Sequence, residues 1–313
     1  AIKSELGETG FTLWDDWSRG ADNYQPKAAK SVWKSVKPGG RVTIASLFAL
    51  AIQQGYRPEQ PYQAPSAEER VKLEAERAAA QAEAEALAAE QRQAAKVKAA
   101  NLWERGHDVA AEHPYLQAKG IVPAGAAQLR DMLLIPLRVA GELVNLQVIA
   151  ADGSKRFLTG GQVKGTSLVL GRLKEADTVL LCEGWATGCS LQQATGLPVV
   201  VAFNAHNLVT VAARLASTLQ PSIKVVVCGD ADASLTGQRA AGKAAELLLE
   251  RGRSVVPVFT PEQVELHRQR HDGLLPTDFN DLHQLAGLEA VKEQVFRGDS
   301  KMVGTVGTVG TET

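Results

Sequence analysis

The sequence has few cysteines and few aromatic residues, and it lacks a long apolar run. Three of its 313 residues are cysteines, and no two of them form a CxxC pair: Cys182, Cys189 and Cys228. This spacing argues against a disulfide framework and against a zinc ribbon. It favours a reducing, cytoplasmic setting in which the thiols are small buried hydrophobes. No stretch approaches the roughly 20 apolar residues that cross a bilayer, so we expect no membrane association.

The chain also has little net charge, with a formal value of −1 at pH 7. A protein that grips a long stretch of duplex DNA is more often basic, because phosphate contacts dominate its affinity. The near-neutral net charge therefore argues against a large non-specific DNA clamp. Any affinity for nucleic acid must come from a local group of cations. An apolar content of 45% is ordinary for a globular protein with a sizeable core.

Residues 1–62 predict a small helical domain that is rich in tryptophan. We interpret its aromatic residues as a core rather than as a base-stacking surface: Trp14, Trp17, Tyr24 and Trp33. Lysines interleaved among them keep a nucleic-acid role open: Lys27, Lys30, Lys34 and Lys37. Thr43 predicts the N-cap of a helix that runs to Gln54 and ends at Gly55.

Residues 63–105 predict a long helix that separates two compact units. Ser66 and Glu69 form a capping box after Pro65, and neither glycine nor proline follows until Gly106. Polar residues occur nearly all round this helix, and apolar residues larger than alanine are few. The pattern favours a solvated spacer of roughly 50 Å over a core element. A coiled-coil dimer is the less favoured alternative, because the heptad pattern is weak.

Two kinds of sheet are predicted after the helix. Residues 106–176 contain short apolar runs separated by glycine, with a hairpin turn at Asp152-Gly153, and predict a small antiparallel sheet within a basic, mixed α/β subdomain. These runs are DMLLIPLRV, GELVNLQVIA, GSKRFLTGG and TSLVLGRL. Residues 177–298 alternate fully apolar runs with helical stretches, which predicts a Rossmann-like parallel sheet with helices on both faces. Its strands are TVLLC, PVVVAF, KVVVCGD and SVVPVF. We expect residues 299–313 to be a disordered tail.

Acidic residues follow two of the predicted parallel strands. Glu183 lies in LLCEGWATG, and Asp230 and Asp232 lie in VVVCGDADAS. Because strands of a parallel sheet present their carboxyl ends at one edge, we expect these side chains to converge. Close carboxylates repel each other unless protons or a cation neutralise them, and Mg²⁺ prefers such oxygen ligands. The alternative is that each acid caps the helix that follows it. Asp278 and Asp281 in TDFND are either further metal ligands or a turn and an N-cap.

These motifs resemble the Toprim domain shared by bacterial primases, topoisomerases and some nucleases. Several blocks are similar to those of DNA primases from phages, conjugative plasmids and other mobile elements: HPYLQAKGI, LLIPLRVAGELVNLQVIAADGSKRFLTGG, CEGWATG, GDADASLTGQRAAGKAA and TDFNDL. The WDDWSRGADNY…VWKSV region resembles the accessory domain of such primases. The resemblance covers most of residues 10–295 apart from the spacer helix.

The resemblance implies an α/β Toprim domain preceded by a small antiparallel β subdomain, a long helix and a small N-terminal helical domain. It implies that Glu183 acts in acid–base chemistry or metal handling, and that Asp230 and Asp232 bind Mg²⁺ or Mn²⁺. It assigns template and nucleotide binding to cations of the preceding sheet: Arg138, Lys155, Arg156 and Lys164. The implied reaction is synthesis of short RNA primers on single-stranded DNA from ribonucleoside triphosphates. A replicative helicase is the implied partner or fused domain.

Two other functions stay open. A Toprim nuclease uses the same metal site for hydrolysis, although the basic β subdomain ahead of the acidic domain favours a polymerising enzyme. A non-catalytic nucleic-acid-binding replication module is the second. The missing zinc-binding module leaves this function open, whereas the presence of Glu183, Asp230 and Asp232 argues against it. A topoisomerase is disfavoured, since it needs a nucleophilic tyrosine and all tyrosines lie outside the predicted α/β domain: Tyr24, Tyr56, Tyr62 and Tyr115.

Overall fold

The structure is a computed structural model that describes residues 1–36, 42–57, 66–174 and 176–297. Contacts divide the chain into two compact units, Ala1–Ala78 and Ala79–Thr313. Several features named from the sequence lie outside the described residues: Lys37, Tyr62, Pro65, the side chain of Glu69 in the predicted capping box, and the tail at 299–313.

The first unit is helical, as its sequence predicts. Its helices before residue 66 are α1 (Ile2–Leu6), α2 (Phe11–Ser18), α3 (Pro26–Ser35) and α4 (Ile44–Gln53). Trp33 is buried, and its ring lies 5.5 Å from that of Trp14. Trp17 is 78% exposed, so the aromatic residues form a core only in part. Thr43 is the N-cap of α4, as predicted, and Gly55 with φ of 95° lies just beyond its end.

Helix α5 (Ala67–Glu104) is continuous over 38 residues, as its composition predicts. Most of its residues between 79 and 94 are exposed. Its last turns are not solvated, because Ala95 and Ala99 are buried and Ala99 packs with Leu134 and Leu146 of the sheet that follows. The sequence interpretation of a solvated spacer is therefore wrong for the end of this helix, where small alanine side chains let it lie closely on a sheet.

The first sheet is antiparallel, with the strand order β1-β2-β3-β4. Its strands are β1 (Ala127–Leu129), β2 (Met132–Val139), β3 (Glu142–Ile149) and β4 (Lys155–Phe157). Asp152-Gly153 forms the turn between β3 and β4, as predicted, with a φ of 84° that glycine adopts readily. The short helix α6 (Pro114–Lys119) precedes this sheet.

The second sheet has the strand order β5-β7-β6-β8-β9. Its strands are β5 (Leu168–Leu170), β6 (Thr178–Cys182), β7 (Val199–Val201), β8 (Lys224–Cys228) and β9 (Gly252–Val255). Strands β6 to β9 are parallel, as predicted. Strand β5 pairs antiparallel with β7, so the prediction that the TSLVLGRL run belongs to the first sheet is wrong for Leu168–Leu170. Ser167, which precedes the strand, does bridge to Arg138 of β2. The alternating apolar pattern of this run fits an edge strand of either sheet.

Helices cover both faces of the second sheet, because its strand residues are apolar on both sides. The helices are α7 (Trp185–Thr195), α8 (Ala205–Thr218), α9 (Thr236–Leu247), α10 (Pro261–Arg270) and α11 (Phe279–Val295). Leu180 and Cys182 of β6 point into one apolar cluster with Trp185 and Phe279, whereas Leu181 points into another with residues of α8 and α9. This alternation along one strand confirms the predicted architecture of a sheet between two helical layers.

Candidate active site

Glu183 and Asp230 lie at one edge of the second sheet. Strands β6 and β8 are neighbours, and Cys182 pairs with Cys228 in register. Glu183 therefore stands one residue beyond that pair and Asp230 two residues beyond it. Gly184 has extended backbone angles and is the N-cap of α7, so the chain leaves the sheet edge directly after Glu183.

Both carboxylates have a buried oxygen without a hydrogen-bond partner among the described residues, Oε1 of Glu183 and Oδ1 of Asp230. Burial raises the pKa of Glu183, and the charges of Asp232 and Asp278 raise it further. Burial raises the pKa of Asp230 to about 8, with repulsion from nearby acids as the second cause: Asp278, Glu183, Asp232 and Asp281. An orphaned anionic oxygen is costly in a protein interior, so this edge is suited to a cation or a proton.

Asp232 is held differently, as a cap of helix α9. Its Oδ2 accepts the backbone N–H of Gly237 at 2.7 Å, and its Oδ1 accepts the hydroxyl of Ser234 and the N–H of Thr236. The Ser234 hydroxyl and the Gly237 N–H lower the pKa of Asp232. Gly237 is required at this position, since a Cβ there would lie 2.6 Å from the carbonyl oxygen of Asp230. The helix-capping alternative thus describes Asp232, which remains ionised beside the other acids.

Asp278 and Asp281 form a capping box at the start of α11. Oδ1 of Asp278 accepts the N–H groups of Asn280 and Asp281 at 2.7 and 2.9 Å. Oδ2 of Asp281 accepts the N–H of Thr277 at 2.8 Å. After burial, the charge of Asp278 is the largest cause of the raised pKa of Asp230. Asp278 therefore serves as an N-cap whose charge also acts on a strand-end acid. Metal binding by Asp278 and Asp281 stays a prediction.

The donor set fits a divalent metal ion, although the ligands do not form a closed cage. Among the described residues, no three Asp, Glu, His or Cys side chains converge closely enough to hold an ion as they stand. The unpartnered oxygens of Glu183 and Asp230 nevertheless supply hard, anionic ligands of the kind that Mg²⁺ takes while it keeps several waters. Among the other carboxylates, Asp278 contributes most to the raised pKa of Asp230.

Of the four predicted cations, Lys155 is the one that the structure places beside the acids. Burial lowers its pKa, whereas the charges of Asp278, Asp230 and Asp281 oppose that shift. Its ammonium also lies 5.5 Å from the ring centroid of Tyr115. The side chain of Lys155 keeps an exposed surface, so solvent weakens both effects.

Arg156 lies on the other face of the first sheet. It is paired with Val148, which packs towards α5, whereas Lys155 is paired with Ile149, which belongs to the cluster under the second sheet. Neighbouring residues of a strand point to opposite faces, so the adjacent cations cannot form one track. The structure does not bring Lys155 and Arg156 together.

Arg138 and Lys164 are also separate from the acids. Arg138 donates to the carbonyl oxygen of Gly141 at 2.9 Å, and its guanidinium lies 5.8 Å from the ring of Trp103. Lys164 is exposed in the loop between β4 and β5. Asn207 fixes that loop by accepting the N–H of Gly165 at 2.6 Å and donating to the carbonyl oxygen of Thr166.

Two residues near the acids were missed from the sequence. Lys119 Nζ lies 3.9 Å from Oδ1 of Asp281. Burial and the charge of Asp281 raise the pKa of Asp278, and the charge of Lys119 opposes that shift. The Tyr115 ring stacks on Trp185 at 6.3 Å, and its buried hydroxyl has no partner among the described residues. Both lie in the HPYLQAKGI block, whose contact with the second sheet only the tertiary fold reveals.

Comparison with known families decides what kind of domain carries this site. Residues 178–289 match the Toprim domain family, and residues 1–51 match the family called Primase C terminal 2, or PriCT-2. The chain carries a Toprim domain. The resemblance to Toprim DNA primases of the mobile-element type, with a primase-associated domain at the N-terminus, is confirmed.

Two Escherichia coli proteins named DNA primase TraC are similar to this chain. One is 33% identical over 164 residues, which cover 48% of this chain and 11% of that protein. The other is 31% identical over 205 residues, which cover 60% of this chain and 19% of that protein. The match with the chain therefore spans less than a fifth of the length of either relative.

Solved structures show a weaker likeness. The structure of the DnaG primase catalytic domain bound to ssDNA aligns with a TM-score of 0.40 and 16% identity, over 67% of this chain and 80% of that chain. The RNA polymerase domain of Mycobacterium tuberculosis primase DnaG aligns with a TM-score of 0.33 and 21% identity, over 59% of this chain and 62% of that chain. At these scores neither alignment adds to the family matches.

The Toprim match divides the predicted site residues. It contains all five acids, from Glu183 to Asp281, and it starts after the four cations, of which Lys164 is the last. The Toprim domain thus supplies the carboxylate edge, and the antiparallel sheet before it supplies Lys155. In the part of the chain that the structure describes, no helix is long and apolar enough to cross a membrane.

Proposed function

We propose that this chain is the catalytic part of a DNA primase that joins ribonucleotides into short primers on single-stranded DNA. The observation that carries the proposal is the pair of buried, unpartnered oxygens of Glu183 and Asp230 at the edge of the Toprim domain. Lys155 stands beside them, where its ammonium suits the phosphates of an incoming nucleotide. The relatives named DNA primase support the same reaction class.

Glu183 and Asp230 would hold the divalent ion, Mg²⁺ or Mn²⁺, with Asp232 and Asp278 at the rim of the same site. Such an ion, when bound, polarises an attacking hydroxyl and neutralises the charge that develops on a departing pyrophosphate. Acid–base work is the alternative role of Glu183: if its carboxylate does not bind the ion, it would accept the proton of a primer 3′-hydroxyl, and burial raises its pKa in the direction that this requires.

In this proposal Lys155 orients the triphosphate. The exposed Lys164 contacts a part of the template or nucleotide that lies further from the acids. The template is single-stranded DNA, and the substrates are ribonucleoside triphosphates. A helicase, as a partner or as a fused domain, stays a prediction, since the match spans a small part of each relative.

A topoisomerase is disfavoured, although the sequence argument against it was incomplete. Tyr115 lies outside the Toprim domain in sequence, but the fold places it against Trp185, two residues after Glu183. Burial raises the pKa of Tyr115 to about 12, and its hydroxyl is inaccessible to solvent. A buried, neutral phenol is a poor nucleophile, so proximity alone does not give it that role.

The test is incorporation of labelled ribonucleotides on single-stranded DNA with Mg²⁺, scanned over template sequences, with wild type, Glu183→Gln and Asp230→Asn. We expect short RNA products from wild type and a loss of at least about 100-fold in both variants. Asp177→Asn is the matched control, since Asp177 is exposed at the opposite end of β6 and should leave incorporation unchanged.

A parallel reaction without nucleotides separates the alternatives. Mg²⁺-dependent cleavage of the template, with no incorporation on any template, would assign the site to a nuclease. Binding of single-stranded DNA with neither reaction would assign the chain to a non-catalytic replication module.

A further inference from the structure

A buried hydrogen-bond network lies behind the carboxylate edge. Ser190 of α7 and Asn280 of α11 are fully buried, and Asn280 Nδ2 donates to Ser190 Oγ at 3.0 Å. The same amide nitrogen donates to the carbonyl oxygen of Lys119 at 2.8 Å. Ser190 Oγ lies 3.1 Å from Nδ1 of His283, and Asn280 Oδ1 accepts from Gln284 at 3.0 Å.

The Lys119 carbonyl oxygen fixes the orientation of the Asn280 amide. A carbonyl oxygen can only accept, so the amide must turn its nitrogen towards it. Both N–H bonds of that nitrogen are then used, and Ser190 accepts one of them. The remaining bond of Ser190 is to His283 Nδ1, and its direction depends on the tautomer of His283.

The network joins the elements that carry the acids. Helix α7 starts two residues after Glu183, and Asn280 lies between Asp278 and Asp281 in the first turn of α11. Residue 119 closes helix α6, and its ammonium faces Asp281. On the other side of the site, the N–H of Ala231 donates to the carbonyl oxygen of Thr277 at 2.7 Å, which links the Asp230 turn to the same helix start.

We propose that Asn280, acting with Ser190, is a positioning residue that sets the distance between the Glu183 and Asp278 carboxylates. It touches neither the metal nor the substrate. It holds the start of α11 against α7 and α6, so that Asp278 faces Glu183 and Asp230. The inference rests on the proposed function, because it concerns the same carboxylate site. Groups that hold ligands in place commonly change metal affinity by about 10- to 100-fold when they are lost.

The test is Mn²⁺ binding to the full chain, followed by the loss of the free-ion EPR signal, with melting temperature measured on the same samples. Ser190→Ala is a small change that keeps the packing, and Asn280→Leu keeps the approximate volume and loses both donors without adding a charge. We expect each to weaken Mn²⁺ binding by about 10-fold or more. Ribonucleotide KM at saturating metal should stay close to that of wild type.

The matched control is Thr195→Val at the C-terminal end of α7. It removes the partly buried hydrogen bond that the Thr195 hydroxyl donates to the carbonyl oxygen of Leu191. It should lower the melting temperature without changing Mn²⁺ affinity. Wild-type Mn²⁺ affinity in both Ser190→Ala and Asn280→Leu would overturn the positioning role while leaving the proposed function intact. Absence of Mn²⁺ binding by the wild-type chain would overturn both.

Discussion

Asp230 lies where burial and four neighbouring acids oppose its ionisation, and this has a consequence for stability. Its pKa is raised from 3.8 to about 8 in the folded chain. Between those two values the folded chain holds a proton that the unfolded chain has released. Stability therefore falls as the pH rises through this range, which is the direction expected for a raised acid. A bound cation removes the penalty.

Asp230→Asn should make the metal-free protein more stable at high pH. At about pH 4, close to the ordinary pKa of 3.8, the carboxyl is protonated in the folded chain and partly protonated in the unfolded chain, so we expect similar melting temperatures. Near pH 9 the variant should melt several degrees higher in EDTA, because it carries no repelled charge. Calorimetry over this pH range checks the prediction, with Asp177→Asn as the control. A variant that is equally or less stable at high pH would contradict the crowding of charge around Asp230.

Lys155 and Arg156 are neighbours in sequence but should behave differently. Lys155→Ala should weaken binding of nucleotide and single-stranded DNA, and it should flatten the salt dependence by about 0.7 in the logarithmic slope. Arg156→Ala should change both much less, because Arg156 lies on the opposite face of the sheet. The measurement is a salt titration of binding for both variants. Equal losses would mean that both faces contact nucleic acid.

At the scale of elements, the end of helix α5 belongs to the core that follows it. Ala99 is fully buried against Leu134 and Leu146, and Lys96 is paired with Glu142 at 2.6 Å. Limited proteolysis should cut the exposed part of the helix between residues 79 and 90. A fragment that begins near residue 88 should be stable, whereas one that begins at 105 should lose its cover and unfold more easily.

A point substitution tests the same packing without truncation. Ala99→Asp should destabilise the protein by a few kcal/mol, because it places a charge against apolar side chains. Ala94→Asp, on the exposed side of the same helix, should cost little. Equal melting temperatures for the two variants would show that the helix end is not docked.

The sequence was sufficient wherever a local pattern determines the element. Fully apolar runs predicted the parallel strands, Asp152-Gly153 predicted the hairpin, and Thr43 predicted a helix cap. The acids after β6 and β8 were predicted to share an edge, because parallel strands align their ends. Strand β5 was misplaced, since a short run does not specify which sheet edge it joins.

Tertiary contacts determined what the sequence could not show. Tyr115 contacts Trp185, which lies 70 residues further along the chain, and Lys119 pairs with Asp281, which lies 162 residues further along. The separate faces of Lys155 and Arg156 follow from the period of a strand, but which face meets the Toprim domain depends on how the two sheets pack. The roles of all these residues in catalysis and binding stay predictions.

At the scale of the whole molecule, near-neutral charge and a crowded acidic edge are parts of one account. A chain with a net charge of −1 does not attract nucleic acid by its overall field. Under the proposed function, affinity comes from a few cations and from metal ions bound at the acids. An ion at the edge would neutralise it, so binding of nucleoside triphosphate should depend on the divalent metal rather than follow from the protein's own charge.

The most direct test is a crystal structure of the full chain with Mn²⁺ and a ribonucleoside triphosphate, with the ion located by its anomalous signal. We predict a peak roughly 2.1 Å from oxygens of Glu183 and Asp230, bridged to the triphosphate with the Lys155 ammonium beside the phosphates. A triphosphate bound elsewhere, or an edge at which Glu183 and Asp230 contact no ion at saturating Mn²⁺, would contradict the account.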